Sequence, residues 1–423
     1  NPESGASKTG AAPVEGAYSK EYLLAVGSAG SSGHAWTINA GQDSTFGGAV
    51  SAGGNADGNG FGDFKYAPPS GYLALCTANV PVSDDIDPAQ TDDDYPQKNF
   101  NTVLFTGNGS SNAVTGLGFQ PDLIWGFTRD GVQSKRVIDS SRGGSARIYS
   151  DLNSAQNSTS TISSFDSDGF TATGGAFNND SGKACGAWCW RANGGTTASN
   201  SDGATTTTVQ ANTKAGFSIV ECPTYTSNST FGHGLTSAPE FMTVKLLAST
   251  SRWATYHTGL TSAGYYLSIN TNDAQASGSF FNSTAPTDDV FSLGASFGGS
   301  GASIAYCWHS VEGSSKFGSY EGNGNVDGPF IYTGFRPRML FIKGVDNASN
   351  WEVRDTARDT FNPIDKTTLW DSDTTEATHS VYNMDVLSNG FKIRTTSGNY
   401  NTSGNTYIYG AWGDVPFKYN NTF

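Results

Sequence analysis

One short pattern occurs three times along this chain, and it limits the fold more than any other feature. The first copy reads Gly118-Phe119-Gln120-Pro121, an apolar run Leu123-Ile124-Trp125, then Asp139-Ser140-Ser141-Arg142. The second reads Gly234-Leu235, Pro239, Phe241-Met242-Thr243-Val244, then His257-Thr258-Gly259-Leu260. The third reads Gly334-Phe335-Arg336-Pro337, Met339-Leu340-Phe341-Ile342, then Asp355-Thr356-Ala357-Arg358. From Pro121 to Arg142, Pro239 to Leu260 and Pro337 to Arg358 the separation is 21 residues each time. Gapless agreement over such a distance marks a tandem array, and arrays more often present surfaces than house one catalytic centre.

Composition says what kind of unit is repeated. Glycine is abundant (53 of 423 residues), methionine is scarce (three), and only 36% of residues are hydrophobic. Dense turns with many Thr, Tyr, Phe and Val favour strands over helices. Phe391-Lys392-Ile393-Arg394 alternates as a half-exposed strand does. Each copy also closes on an aromatic strand containing Trp190, Trp308 or Trp412. The expected fold is all-β: tandem β-sandwich repeats of jelly-roll or lectin-like type with little helix.

The repeats divide the chain into a Gly-rich N-terminal segment over 1–82, an acidic linker over 83–97 and a first β repeat over 98–192. A Thr/Gly/Ser linker over 193–213, a second repeat over 214–313 and a third over 314–423 complete it. Pro121 and Pro239 stand 118 residues apart, Pro239 and Pro337 only 98. The tract 193–213 accounts for the difference as an added linker.

The net charge is −14, without a basic cluster, which argues against nucleic acid as partner. No apolar stretch is long enough to span a membrane as a helix. The chain opens on Asn1 rather than Met, as a processed chain or a piece of a longer one does. Carboxylates between Asp84 and Asp94 could recruit calcium, but they lack the order of an EF-hand loop. Cys76, Cys185, Cys189, Cys222 and Cys307 lack a CxxC pair with partners and are read as buried thiols. The histidines His34, His233, His257, His309 and His379 form no HxH or HExxH arrangement.

Asp139/Arg142 and Asp355/Arg358 invite an enzymatic reading. The second copy carries His257 and Leu260 at those places, however, so a repeated ion pair that braces a loop explains them better. Tryptophans beside polar loops are equipment for sugar binding. Trp190, Trp308 and Trp412 are assigned to the core. Trp125, Trp253, Trp351 and Trp370 are candidates for a ligand surface, with Trp253, His257, Trp351, Asp355 and Arg358 as the speculative ligand-binding set. No catalytic residue, cofactor or metal site is assigned.

Whole phrases of the chain have a wider resemblance. Phe105-Thr106-Gly107-Asn108-Gly109, Gly118 to Leu123, Ser319 to Gly324 and Asp327 to Pro337 resemble, in order, a domain of unknown function that recurs in virion proteins of tailed phages, especially marine and cyanobacterial ones. Phe64 to Pro81 looks like the closing strands of a SPRY/concanavalin-like lectin fold. The resemblance implies a non-enzymatic virion surface protein, outside the cell, most readily a tail-fibre or appendage subunit. Such a subunit would attach to a host cell-surface glycan or protein and contact other virion proteins; homotrimers are common among fibres. The alternatives are a head decoration or filament-forming protein and, third, a polysaccharide depolymerase.

Overall fold

The apolar run of each copy becomes a strand buried on both faces: Leu123–Thr128, Phe241–Leu246 and Pro337–Gly344. Successive side chains of a strand point to opposite sides, so each run serves two cores at once. Leu123, Trp125 and Phe127 enter one cluster while Ile124 enters another. Phe241 joins the first of these, and Met242 and Val244 join a third. Met339 and Phe341 return to the first, with Leu340 and Ile342 in a fourth. The first cluster is therefore common to all three copies.

The computed structural model describes residues 95–414 apart from 175–176, 299–300 and 380, and before them 43–45, 48, 50–76 and 79. It separates into two compact units, Asn1–Val82 and Ser83–Phe423. Among the described residues of the first unit, the only pairing resembling a sheet is an antiparallel bridge between Asn55 and Phe64. No strand forms in the described part of 64–81, where closing strands of a lectin fold are expected. The acidic stretch Asp84–Asp94 lies outside the described residues.

The second unit is all-β and antiparallel, with helix confined to short turns such as Pro96–Lys98 and Ala295–Gly298. Among the described residues, no helix is long and apolar enough to cross a membrane. It consists of three lobes, each a sandwich of a large and a small sheet. The large sheet of the first lobe orders its strands Phe100–Thr106, Ala184–Trp190, Leu123–Thr128, Arg136–Asp139, Ala146–Tyr149 and Asn157–Ser158. The third lobe repeats this six-stranded order from Ser315–Glu321 to Ala377–Thr378. The large sheet of the second lobe has eight strands, because Ala198–Asn200 and Thr207–Asn212 add a hairpin to its edge.

That hairpin corrects the linker expected over 193–213. Its composition is linker-like, but Thr207 and Val209 alternate inward and are buried. Gln210 is buried as well and binds the hydroxyls of Ser140 and Ser141 in the first lobe. The 20-residue excess between copies is thus folded structure that bridges two lobes.

The large sheets face one another around a shared centre. Every tryptophan among the described residues lies in that central cluster. Trp190, Trp308 and Trp412, one from each lobe, make a triangle with ring centroids 5.9, 6.2 and 5.3 Å apart and near-perpendicular planes. Such edge-to-face packing is the favoured geometry for aromatic quadrupoles.

Main-chain hydrogen bonds close the ring at the opposite end, and each joint uses corresponding residues. Gln156 N–H donates to Leu247 and Ser251 N–H to Asn153, both at 2.8 Å. Gln275 donates to Val345 and Ser349 to Asn272, both at 2.9 Å. Glu376 donates to Arg129 and Gln133 to Asp373, again at 2.9 Å. The third lobe thus returns to the first, giving a closed pseudo-threefold ring rather than a line of repeats.

The glycine that opens each copy has a conformational reason. Gly118, Gly234 and Gly334 have φ of 81°, 70° and 89°, a left-handed backbone that a Cβ disfavours. Chain entry and exit lie at this end too. Lys98 reaches the Gly118 carbonyl, and Asp414 N–H donates to the Arg336 carbonyl.

Candidate functional site

The five residues proposed to bind ligand are all interior. Trp253 and Trp351 are fully buried, and His257, Asp355 and Arg358 are no more than 4% exposed. None can reach a ligand at the surface. Each instead joins neighbouring lobes.

The Asp–Arg pair and its His–Leu replacement occupy corresponding joints. In the first lobe, Arg142 Nε donates to Asp139 at 2.7 Å, and both groups reach Tyr306 of the second lobe. The Tyr306 hydroxyl donates to Asp139 at 2.7 Å and accepts from Arg142 at 3.0 Å. Burial works against the Arg142 cation, but Asp139 and Tyr306 outweigh it and hold the guanidinium above its ordinary range. In the third lobe, Arg358 Nε donates to Asp355 at 2.5 Å, and Trp188 of the first lobe donates its indole N–H to the same carboxylate at 3.1 Å. Glu376 then bridges Arg358 and Arg129.

By register, the third lobe has Gly410 where the others have Trp188 and Tyr306. A Cβ there would collide with the rings of Phe341 and Phe317. Gly410 therefore supplies no side-chain donor, and the second lobe meets a backbone carbonyl instead. His257 Nδ1 accepts the Gly259 N–H at 2.9 Å, which fixes the tautomer with its proton on Nε2. Nε2 donates to the Tyr409 carbonyl at 3.1 Å. Burial drives the His257 pKa down to about 4, against the pull of that carbonyl. A neutral ring needs no counter-charge, so Leu260 stands where the other lobes need arginine.

A second joint sits 14 residues after each proline. Trp253 donates its indole N–H to the Tyr149 carbonyl at 2.9 Å, and Trp351 to the Ser268 carbonyl at 3.0 Å. In the first lobe the same position is Lys135, whose ammonium reaches the Thr374 carbonyl at 3.0 Å. Trp370 fills the space beside it, stacked on Trp125 at 4.5 Å. These tryptophans are core, not a sugar platform.

Other motifs resolve as bracing. The Asn179 amide oxygen accepts the Asn108 N–H within Gly107-Asn108-Gly109, as Asn401 does for Asn323 within Gly322-Asn323-Gly324. Cys185, Cys189, Cys222 and Cys307 are buried and unpaired, while Cys76 is half-buried. Burial pushes the Cys185 thiol up to about 11, unsuited to nucleophilic attack. Among the described residues, no group of three or more His, Cys, Asp or Glu side chains could hold a metal ion.

Within the third lobe, two exposed aromatics stand side by side on the small sheet. Phe330 and Tyr332 alternate outward on strand Phe330–Tyr332, 45% and 60% exposed. Phe330 pairs with Lys392, which pairs with Asp385, placing the three on one face. Arg394 lies one step further, 3.3 Å from Asp385 and 3.5 Å from Asp327. Asp327, Asn383, Asp385 and Arg394 line an open cleft of about 470 Å³. Hydrogen bonding to Lys392 holds Asp327 below the ordinary carboxylate range, the reverse of what a general acid needs. In the first lobe, the register partners at the corresponding places are Ala113 and Thr115. Sequence reasoning missed this face, although the outward alternation of Phe330 and Tyr332 was visible beside the Phe391–Arg394 alternation.

The fold defines the class: an all-β protein of antiparallel sandwich lobes with a common aromatic centre. The family described as Domain of unknown function (DUF7483) matches residues 95–416, most of the chain, and the chain belongs to it. No curated protein and no solved structure matches.

Proposed function

We propose that this is a non-enzymatic virion surface protein, a tail-fibre or appendage subunit that attaches to host-surface glycan through the small sheet of its third lobe. The observation that carries the reading is the exposed pair Phe330 and Tyr332 beside a cleft of Arg394, Asn383 and two aspartates. Ring faces suit the C–H faces of sugars, while guanidinium, amide and carboxylate groups suit hydroxyls. The lack of aromatics at the matching places of the first lobe sets this face apart from the repeated framework. Resemblance to tailed-phage virion proteins supports the setting. A head decoration protein is the alternative, in which the same face would contact a lattice.

The ring closes within one chain, so a homotrimer of this protein would have to assemble through other surfaces. Binding of the full chain to a glycan array and to host cells tests the proposal. Tyr332→Ala and Phe330→Ala should abolish binding with the melting temperature unchanged. Undiminished binding would overturn the assignment of the face, and shortening of the glycan would defeat the non-enzymatic part.

A further inference from the structure

A second cleft in the third lobe has different chemistry. It encloses about 290 Å³, at the lower end of ligand pockets and suited to one small polar molecule. Glu352 lines it although only 2% exposed. One oxygen accepts from Thr367 Oγ1 at 2.7 Å, the other from Asn399 Nδ2 at 2.8 Å. The Tyr400 hydroxyl supplies a third bond, and a carboxylate has about four acceptor positions, so Glu352 is oriented while one position stays open. Among the described residues it has no ion pair, its nearest cationic link being Arg354 through the Tyr400 hydroxyl. Arg136 and Ala254 take its place in the other lobes, so the framework does not require a carboxylate there.

The remaining wall groups narrow the ligand. No lysine or arginine lines the cleft, and its one basic side chain, His379, is packed on Tyr382, which disfavours an anionic ligand. Thr374 and Thr375 add hydroxyls, and Tyr382, packed on His379 at 4.7 Å, adds an aromatic wall. A buried acceptor, hydroxyl walls and one ring face match a ligand with a cationic donor, several hydroxyls and an apolar ring face.

We propose that this cleft binds a single amino-sugar unit with a free amine, its ammonium on Glu352 and its ring against Tyr382. The site is distinct from the Phe330–Tyr332 face and does not depend on the attachment reading.

Titration of the full chain with D-glucosamine, followed by NMR, tests this against glucose, N-acetylglucosamine and glucuronate as probes. Glucosamine should bind about ten- to a hundredfold more tightly than glucose or N-acetylglucosamine, the worth of a charged hydrogen bond, and glucuronate should not bind. Glu352→Gln should erase that preference, and Tyr382→Ala should weaken glucosamine binding while Tyr332→Ala leaves it unchanged. Should Glu352→Gln fail to fold, as judged by near-ultraviolet circular dichroism of the tryptophan core, Tyr382→Ala carries the test alone. Equal binding of glucose and glucosamine, undiminished binding to Tyr382→Ala, or no glucosamine binding at high millimolar concentration overturns the proposal.

Discussion

Two joints of the ring do the same work with opposite chemistry. Where the third lobe meets the first, Asp355 accepts a hydrogen bond from Trp188 and needs Arg358 to balance its charge. Where the second meets the third, His257 donates a hydrogen bond to the Tyr409 carbonyl and needs no balancing charge, so Leu260 suffices. The partner across the joint decides the residue: a side-chain donor calls for an acceptor, a bare carbonyl for a donor. A position that varies among copies can therefore be under one constant demand.

The largest effect is expected of Arg358→Leu, which gives the third lobe the second lobe's leucine but leaves Asp355 buried without its ion-pair partner. It should cost about 3–5 kcal/mol in denaturant unfolding. The equivalent change in the first lobe, Arg142→Leu, should be partly rescued by Asp139→His, because a neutral imidazole can bond the Tyr306 hydroxyl without a counter-charge. A double-mutant cycle reads that coupling, and strictly additive losses would refute the account.

Acid tests the second joint next. Unfolded histidine takes up a proton near pH 6.5, whereas His257 in the fold resists until about 4. The stability it contributes is intact above 6.5 and lost as pH falls towards 4, about 3 kcal/mol in all. His257→Gln, which can donate to Tyr409 and accept from Gly259, should remove that dependence. The stability gap between the two proteins should shift by this amount across the window, and an unchanged gap would speak against a buried neutral ring.

Gly410→Ala comes third, at about 1–3 kcal/mol, because the methyl must displace Phe341 and Phe317. The smallest stability effect belongs to Tyr332→Ala. An exposed site should change unfolding by less than about 0.5 kcal/mol, so a larger loss would place Tyr332 in the framework.

Much of the fold was legible in sequence because its signals are local. The apolar run before each joint, the turn glycines and the closing tryptophan strands all report on their own neighbourhoods. The ring was not legible. Nothing within thirty residues of Asp355 says that its partner is Trp188, 167 positions away. The hairpin over 198–212 hid for another reason: Thr, Asn and Gly read as linker until Val209 and Gln210 find a lobe to pack on. The candidate site fared worst. The Asp355–Arg358 ion pair is legible as bracing, but Trp253, His257, Trp351, Asp355 and Arg358 also read as a speculative ligand set, because polar chemistry next to aromatics looks the same in a joint as in a binding site.

Closure also sets a timetable. The central cluster draws on all three lobes, and Trp412 comes near the end of the described chain. A chain emerging from the ribosome, amino end first, can pair the strands of its first two lobes but cannot seal their tryptophans until the last strand arrives. Until then two wide aromatic faces stand open to any neighbouring chain, so translation that stops early should leave an aggregate rather than a smaller working protein. Such late commitment ties productive folding to the arrival of strand Thr406–Gly413.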